Sequence, residues 1–221
     1  MGTRNRGYTL IEIAVVLVII GLLLGGVLKG QELITGARVR NIIQQQSGVK
    51  AAYFGFVDRY RARPGDYSVA TANIPNVSTA ACNGGNGDGD GIIEADVNEN
   101  TLVWEHISKA GFLNGTYTCA AAVSASTTPM NPYARPVDLA YDADYGGSSS
   151  SPQHNLKTGS QVPADILAEV DRKVDDGNAL TGSVRAQTAG GVSTTTTECY
   201  DAAGAWISVS GGANCGAATL L

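Results

Sequence analysis

The stretch Tyr8 to Leu28 reads YTLIEIAVVLVIIGLLLGGVL, and it limits the chain more than any other segment. As a helix it is about 31 Å long, the thickness of the hydrocarbon core of a bilayer. It carries a single charge, Glu12, and the seven residues before it hold Arg4 and Arg6 with no acid. That asymmetry keeps the leader cytoplasmic and sends the remainder across the membrane, so the bulk of the chain is expected in an oxidising compartment. A removable secretory signal would need a small-x-small cleavage site after Leu28, which is missing. N-myristoylation would need Ser or Thr where Arg6 stands.

The apolar pattern continues past the membrane edge. No proline occurs before Pro64, and Ile34, Val39, Ile42, Val49, Tyr53, Phe56 and Tyr60 recur mostly at steps of 3, 4 or 7. One helix is therefore expected from Tyr8 to about Arg61, greasy all round in its first half and amphipathic in its second. Arg63-Pro64-Gly65 would end it. Gly21-x-x-x-Gly25 and Gly26-x-x-x-Gly30 allow apolar helices to approach closely, while Gly25-Gly26 is also the helix's weak point.

Gly7-Tyr8-Thr9-Leu10-Ile11-Glu12, with its short basic leader and unbroken apolar run, resembles the processing site of type IV pilins and type II secretion pseudopilins. The resemblance covers about the first quarter of the chain. It implies that a prepilin peptidase cuts after Gly7 and methylates the new N-terminus at Tyr8. It also implies assembly from the inner membrane, on an assembly platform, into a homo-oligomeric or mixed filament. Many pilins carry a helix-breaking proline near the position of Lys29, and this chain does not. Arg63-Pro64-Gly65-Asp66-Tyr67, Trp104-Glu105-His106, Ala110-Gly111-Phe112 and Asp175-Asp176-Gly177 are similar to segments of other pilin-like bacterial proteins.

The charge of Glu12 has a physical reading of its own. A carboxylate within hydrocarbon is costly unless paired, and cleavage before Tyr8 would create an α-ammonium at the same depth. A neighbouring helix displaced along a filament could set that ammonium against Glu12 and fix the register. The alternative is that Glu12 snorkels to the membrane edge.

The parts divide as a leader over residues 1–7, a transmembrane and polymerisation helix over 8–28, an amphipathic helix over 29–63 and a head over 64–221. The head is rich in glycine and proline and poor in aromatics, which suits short elements around a thin core. Past Pro64 a loop is expected as far as Thr101, followed by a helix over Thr101 to Phe112 with Leu102 and Ile107 inward. A second helix starts near Pro163, with Ile166, Leu167, Val170 and Val174 on one face. Strands are expected at Val137 to Tyr141, Gly182 to Gln187, Thr195 to Tyr200 and Trp206 to Val209, pairing as an antiparallel meander. The fold class is α+β and pilin-like, a long N-terminal helix with a small antiparallel sheet in a loop-rich head.

Four cysteines in an exported chain suggest two disulfides. Of three possible pairings, Cys82 with Cys119 and Cys199 with Cys215 is favoured. Zinc is the rival reading, weakened by the lack of any CxxC spacing. In the stretch Asn83 to Asp96, Asn86, Asp88 and Asp90 alternate with glycines ahead of Gly91, like the first half of an EF-hand calcium loop. The bidentate Glu of that pattern would fall on Val97, so Glu94, Asp96 or Glu99 would have to close the shell. A solvated Gly/Asp-rich loop explains the same residues. No cofactor is required on this reading, and calcium would serve stability.

Residues 1–63 hold nine Lys/Arg against three acids and the remainder six against seventeen, which argues against nucleic acid as a partner of the head. The basic residues Arg59, Arg61 and Arg63 could meet the acidic head of another subunit. No G-x-S-x-G, HExxH, Walker or dinucleotide pattern appears, so an enzyme is not expected. The reading is a structural subunit of a type IV pilus-family filament, held in the bacterial inner membrane before assembly and periplasmic or extracellular after it. A type II secretion pseudopilin or minor pilin is the alternative within the class. A non-polymerising, membrane-anchored, calcium-dependent binding module is the alternative outside it.

Overall fold

A computed structural model describes residues 9–80, 82–147, 151–192, 198–207 and 212–221. The elements in order are α1 (Leu10–Tyr60), α2 (Ala70–Asn73), a 3-10 turn (Asn83–Gly85), α3 (Glu99–Lys109), β1 (Asp138–Asp142), β2 (Gln153–Lys157), α4 (Ala164–Val174), β3 (Val184–Ala186) and β4 (Ala217–Leu220). The chain divides into two compact units, Met1–Arg38 and Val39–Leu221.

The first unit holds the apolar part of α1. Its side chains from Leu10 to Leu28 are exposed, Leu10 at 90% and Leu22 at 73%. The helix is long and apolar enough to cross a membrane, with a mean hydropathy of 2.8 over its most apolar window. A Cβ built on Gly21, Gly25, Gly26 or Gly30 would meet nothing within 4 Å, so these glycines leave flat, open patches on the helix surface.

The second unit uses the rest of α1 as the spine of its core. Val39 and Ile42 join one apolar cluster with Ile166, Leu167, Val170, Val184, Trp206 and Ala217. Val49, Ala52, Tyr53 and Phe56 join another with Trp104, Ile107, Leu139 and Leu156. The buried face matches the expected one over Val39 to Phe56, with Gln46 and Ala52 added, whereas Ile34 is 56% exposed. Gly55 has a packing role, since a Cβ there would sit 3.1 Å from the Phe112 ring. The helix ends where Arg61 turns left-handed at φ 55°, while its N–H still bonds the Val57 carbonyl at 2.9 Å. Pro64 then prevents any continuation.

The sheet is four-stranded and antiparallel in the order β1-β2-β4-β3. β1 and β2 form a hairpin that pairs Asp138 with Lys157, and β4 enters between β2 and β3, pairing Val184 with Thr219. The expected meander is thus replaced by an order in which the last strand sits inside. Of the strands expected late in the chain, residues 195–197 and 208–209 lie outside the described residues. Tyr200 and Trp206 meet in an isolated bridge. β2, read QHNLK, and β4, read AATL, have no polar/apolar alternation and were not expected as strands.

The expected loop from Pro64 to Thr101 contains α2 and the 3-10 turn, and α3 starts at Glu99. The first two N–H groups of α3, from Glu99 and Asn100, are capped by the Glu94 carbonyl at 2.9 and 3.3 Å. Leu102 and Ile107 are buried as expected. α4 follows Pro163 and buries Ile166, Leu167 and Val170, but leaves Val174 47% exposed.

Candidate functional site

At the start of α1, the Thr9 carbonyl accepts the first helical bond from Ile13 at 3.4 Å. The Thr9 N–H and hydroxyl both donate to Glu12 Oε2 at 2.7 Å, and the Glu12 N–H donates to Thr9 Oγ1 at 3.3 Å. Thr9-x-x-Glu12 is therefore a capping box, in which a hydroxyl and a carboxylate satisfy helix-end donors reciprocally. Glu12 thus has a local, helix-capping role that its charge alone does not announce, although the Thr-x-x-Glu pattern is plain in the sequence. Gly7 and Tyr8, the expected processing residues, lie outside the described residues.

The acidic loop is built between the turn after α1 and the first turn of α3. Gly65 has φ 91°, and a Cβ there would lie 2.7 Å from the Glu99 carbonyl. Only glycine fits that left-handed, tightly packed position. The turn aims Asp66 at the loop, where Oδ1 accepts the Gly89 N–H at 2.7 Å and Oδ2 the Gly91 N–H at 3.0 Å. Glu99, fully buried, accepts the Asp88 N–H at 3.1 Å on Oε1 and the Glu94 N–H at 3.2 Å on Oε2. Two carboxylates thus gather four backbone donors from residues 88–94.

Carboxylate oxygens of Asp66, Asp88 and Glu99 lie within 4.8 Å of one another, and so do those of Asp88, Asp90 and Glu94. Burial, joined by the charges of Asp66 and Asp88, pushes the Glu99 carboxyl up to about 7 against its backbone hydrogen bonds. Burial, then Asp90 and Asp88, also raises Asp66. Of the six residues expected around calcium, Asp88, Asp90, Glu94 and Glu99 fall in these two groups. Asn86 is turned away, its Oδ1 accepting from the Thr71 N–H at 3.0 Å and the Thr71 hydroxyl at 3.2 Å. Asp96 is exposed and belongs to neither group. Asp66 was missed, because 22 residues separate it from Asp88 and only the chain's return past Pro64 brings them together.

The loops around this site hang on α3. His106 is fully buried, with Nδ1 accepting the Gly65 N–H at 3.0 Å and Nε2 3.0 Å from the Gly85 carbonyl. Only the neutral ring with its proton on Nε2 makes both bonds, and burial holds the imidazole down at about 4. Glu105, also buried, accepts the Ser78 N–H at 2.6 Å and the Cys119 N–H at 2.7 Å. Disulfides join Cys82 to Cys119, 6.0 Å apart between Cα atoms, and Cys199 to Cys215, 5.7 Å apart. This is the pairing favoured from the sequence.

The basic residues at the end of α1 find partners within the chain. Arg61 lies 3.4 Å from Asp58, with both side chains exposed, and Arg59 sits over the Tyr60 ring.

Among known protein families, the prokaryotic N-terminal methylation motif matches residues 2–28. This is the type IV pilin/pseudopilin signature. It covers the leader and the apolar half of α1, and together with that helix it fits a membrane-anchored, pilin-like or pseudopilin subunit. It points to a structural subunit and, in general, to processing by prepilin peptidase and filament assembly. No curated protein and no solved structure matches the chain.

Proposed function

We propose that this chain is a structural subunit of a type IV pilus-family filament. Prepilin peptidase cuts it after Gly7 and methylates Tyr8, and it assembles from the inner membrane through α1. The observation that carries the reading is the methylation motif over residues 2–28, whose part from Leu10 onward lies in α1 with its apolar side chains exposed. A type II secretion pseudopilin or minor pilin would share every one of these features. Long surface fibres distinguish the pilus subunit from those alternatives, which stay in the envelope.

Glu12 separates a polymerising subunit from an anchored binding module. Replacing Glu12 with Leu removes the only charge in the apolar run, so membrane insertion should persist while recovery of the chain in sheared filaments falls by at least about tenfold. Thr9→Ala is the control, because it breaks the capping box and keeps the carboxylate. Helix-cap losses cost about 1 kcal/mol, too little to abolish a filament held by many helices. Undiminished filaments from the Glu12→Leu variant, or equal loss from Thr9→Ala, would contradict the assembly role.

A second reading concerns calcium at the loop, carried by the convergence of Asp66, Asp88 and Glu99 within 4.8 Å. Hard carboxylate oxygens at that spacing suit calcium, which would offset the burial and, after it, the like-charge crowding that raise Asp66 and Glu99. Bound there, the ion would supply charge neutralisation and hold the loop; no catalysis follows. A site with dissociation constant near 10⁻⁴ M, saturated a hundredfold, adds about 2.7 kcal/mol of stability. The midpoint of thermal unfolding should therefore rise with millimolar calcium and not with equal magnesium. The rise should vanish in Asp88→Asn. An unchanged midpoint would leave the loop as a metal-free, backbone-bonded turn.

A further inference from the structure

Within the Val39–Leu221 unit, a cavity of about 290 Å³ lies where α1, α4 and the sheet meet. That volume is at the small end of the range of about 300–1,000 Å³ typical of small-molecule sites. Its apolar lining includes Ile43 of α1, Val170 and Val174 of α4, and Val184 of β3. Gln46, one helical step from Ile43, also lines it. Its side chain is 93% buried (7% exposed), yet neither its amide oxygen nor its amide nitrogen has a hydrogen-bond partner. Native chains rarely leave a buried amide unpaired, and such a group calls for a partner, a water, an ion or a ligand. Nothing in the packing of the apolar clusters requires Gln there, since a Leu or Met would fill the same face.

Lys50 stands one turn further along the same face of α1, at the edge of the cavity. Among the described residues its ammonium reaches the Leu220 carbonyl, at 3.4 Å, and has no carboxylate within ion-pair distance. Among the described residues no acidic side chain lines the cavity, and Lys50 is the formal charge at its edge. The three signals call for one chemistry. The amide N–H groups and the ammonium want an acceptor-rich anionic head, and the valines with Ile43 want a short aliphatic body. Ile43 to Lys50 spans about 10 Å of helix, which limits that body to a few carbons.

We propose that this cavity binds a short aliphatic carboxylate, of the size of hexanoate. Gln46 Nε2 and Lys50 Nζ would hold the carboxylate, and Ile43, Val170, Val174 and Val184 the chain. The proposal is independent of whether the protein polymerises.

The test uses the full chain in nonionic detergent micelles, titrated calorimetrically with hexanoate and, separately, with hexanol. The expected result is saturable binding of one hexanoate per chain, weakened about tenfold or more both in Lys50→Met and when hexanol replaces the acid. Lys50→Arg should retain binding, and Val170→Phe should abolish it by filling the cavity. If Val170→Phe fails to fold by circular dichroism, the Lys50 pair still decides. Titration heats no different from those of empty micelles, or binding unchanged in Lys50→Met or with hexanol, would overturn the proposal.

Discussion

His106 joins two loops through one neutral ring, and its protonation state is therefore a stability statement. In the unfolded chain a histidine titrates near 6.5, whereas burial holds His106 at about 4. The folded state binds fewer protons between those values, so the contribution is fully present above pH 6.5 and is lost as pH falls toward about 4. At about 1.4 kcal/mol per pKa unit the loss from His106 is on the order of 3 kcal/mol. Burial, helped by the charge of Arg63, also lowers His154 to about 4, which steepens the same window. Urea unfolding followed from pH 6.5 down to about 4 should show falling stability, and an NMR titration should keep His106 neutral through most of it. A His106 resonance titrating near 6.5 would contradict the buried, doubly bonded ring. The partners of His106 are backbone groups that no motif marks, so its role could not be read from the sequence. Glu12 is the reverse case. Its charge within an apolar run was legible, while the Thr9 capping partner three residues away carried an equally plain pattern that the charge overshadowed.

At the scale of elements, α1 was readable almost end to end. A proline-free stretch with one apolar stripe admits few other structures, and Pro64 sets a limit that the chain meets at Tyr60. β2 and β4 were not readable. Gln153–Lys157 is polar, since Lys157 is buried against Asp138, Asp142 and Asp144 and its surroundings are ionic. Ala217–Leu220 lies between two strands with small side chains, where packing decides and propensity says little. The acidic loop was half legible. Its glycine and aspartate alternation drew attention, but Asp66 enters from another segment and Asn86 spends its oxygen on Thr71. The disulfides hold such loops by limiting the unfolded chain. With a sequence separation of 37, Cys82–Cys119 should contribute about 4 kcal/mol, and Cys199–Cys215, with a separation of 16, about 3 kcal/mol on the chain-entropy account. Paired Cys→Ala variants, compared by denaturant unfolding, should show losses of that size and in that order. A loss below about 1 kcal/mol for either pair would mean that its loop is already held by the hydrogen bonds from Glu105 or from the sheet.

At the scale of the whole molecule, a first unit that is apolar over most of its helix, with four Lys/Arg against two acids, and an acidic second unit fit a membrane-anchored chain. Two disulfides, two core clusters and carboxylates tied to backbone donors hold the short elements of the second unit together. On the proposed function, the N-terminus is cut and methylated and α1 then enters a filament. Mass spectrometry of the N-terminal peptide, taken separately from sheared surface material and from membranes, tests it most directly. A methylated Tyr8 N-terminus is expected in the sheared fibres. The same end found only in membranes would point to a pseudopilin or minor subunit, and an intact Met1 end, or loss of the whole apolar segment, would contradict the account.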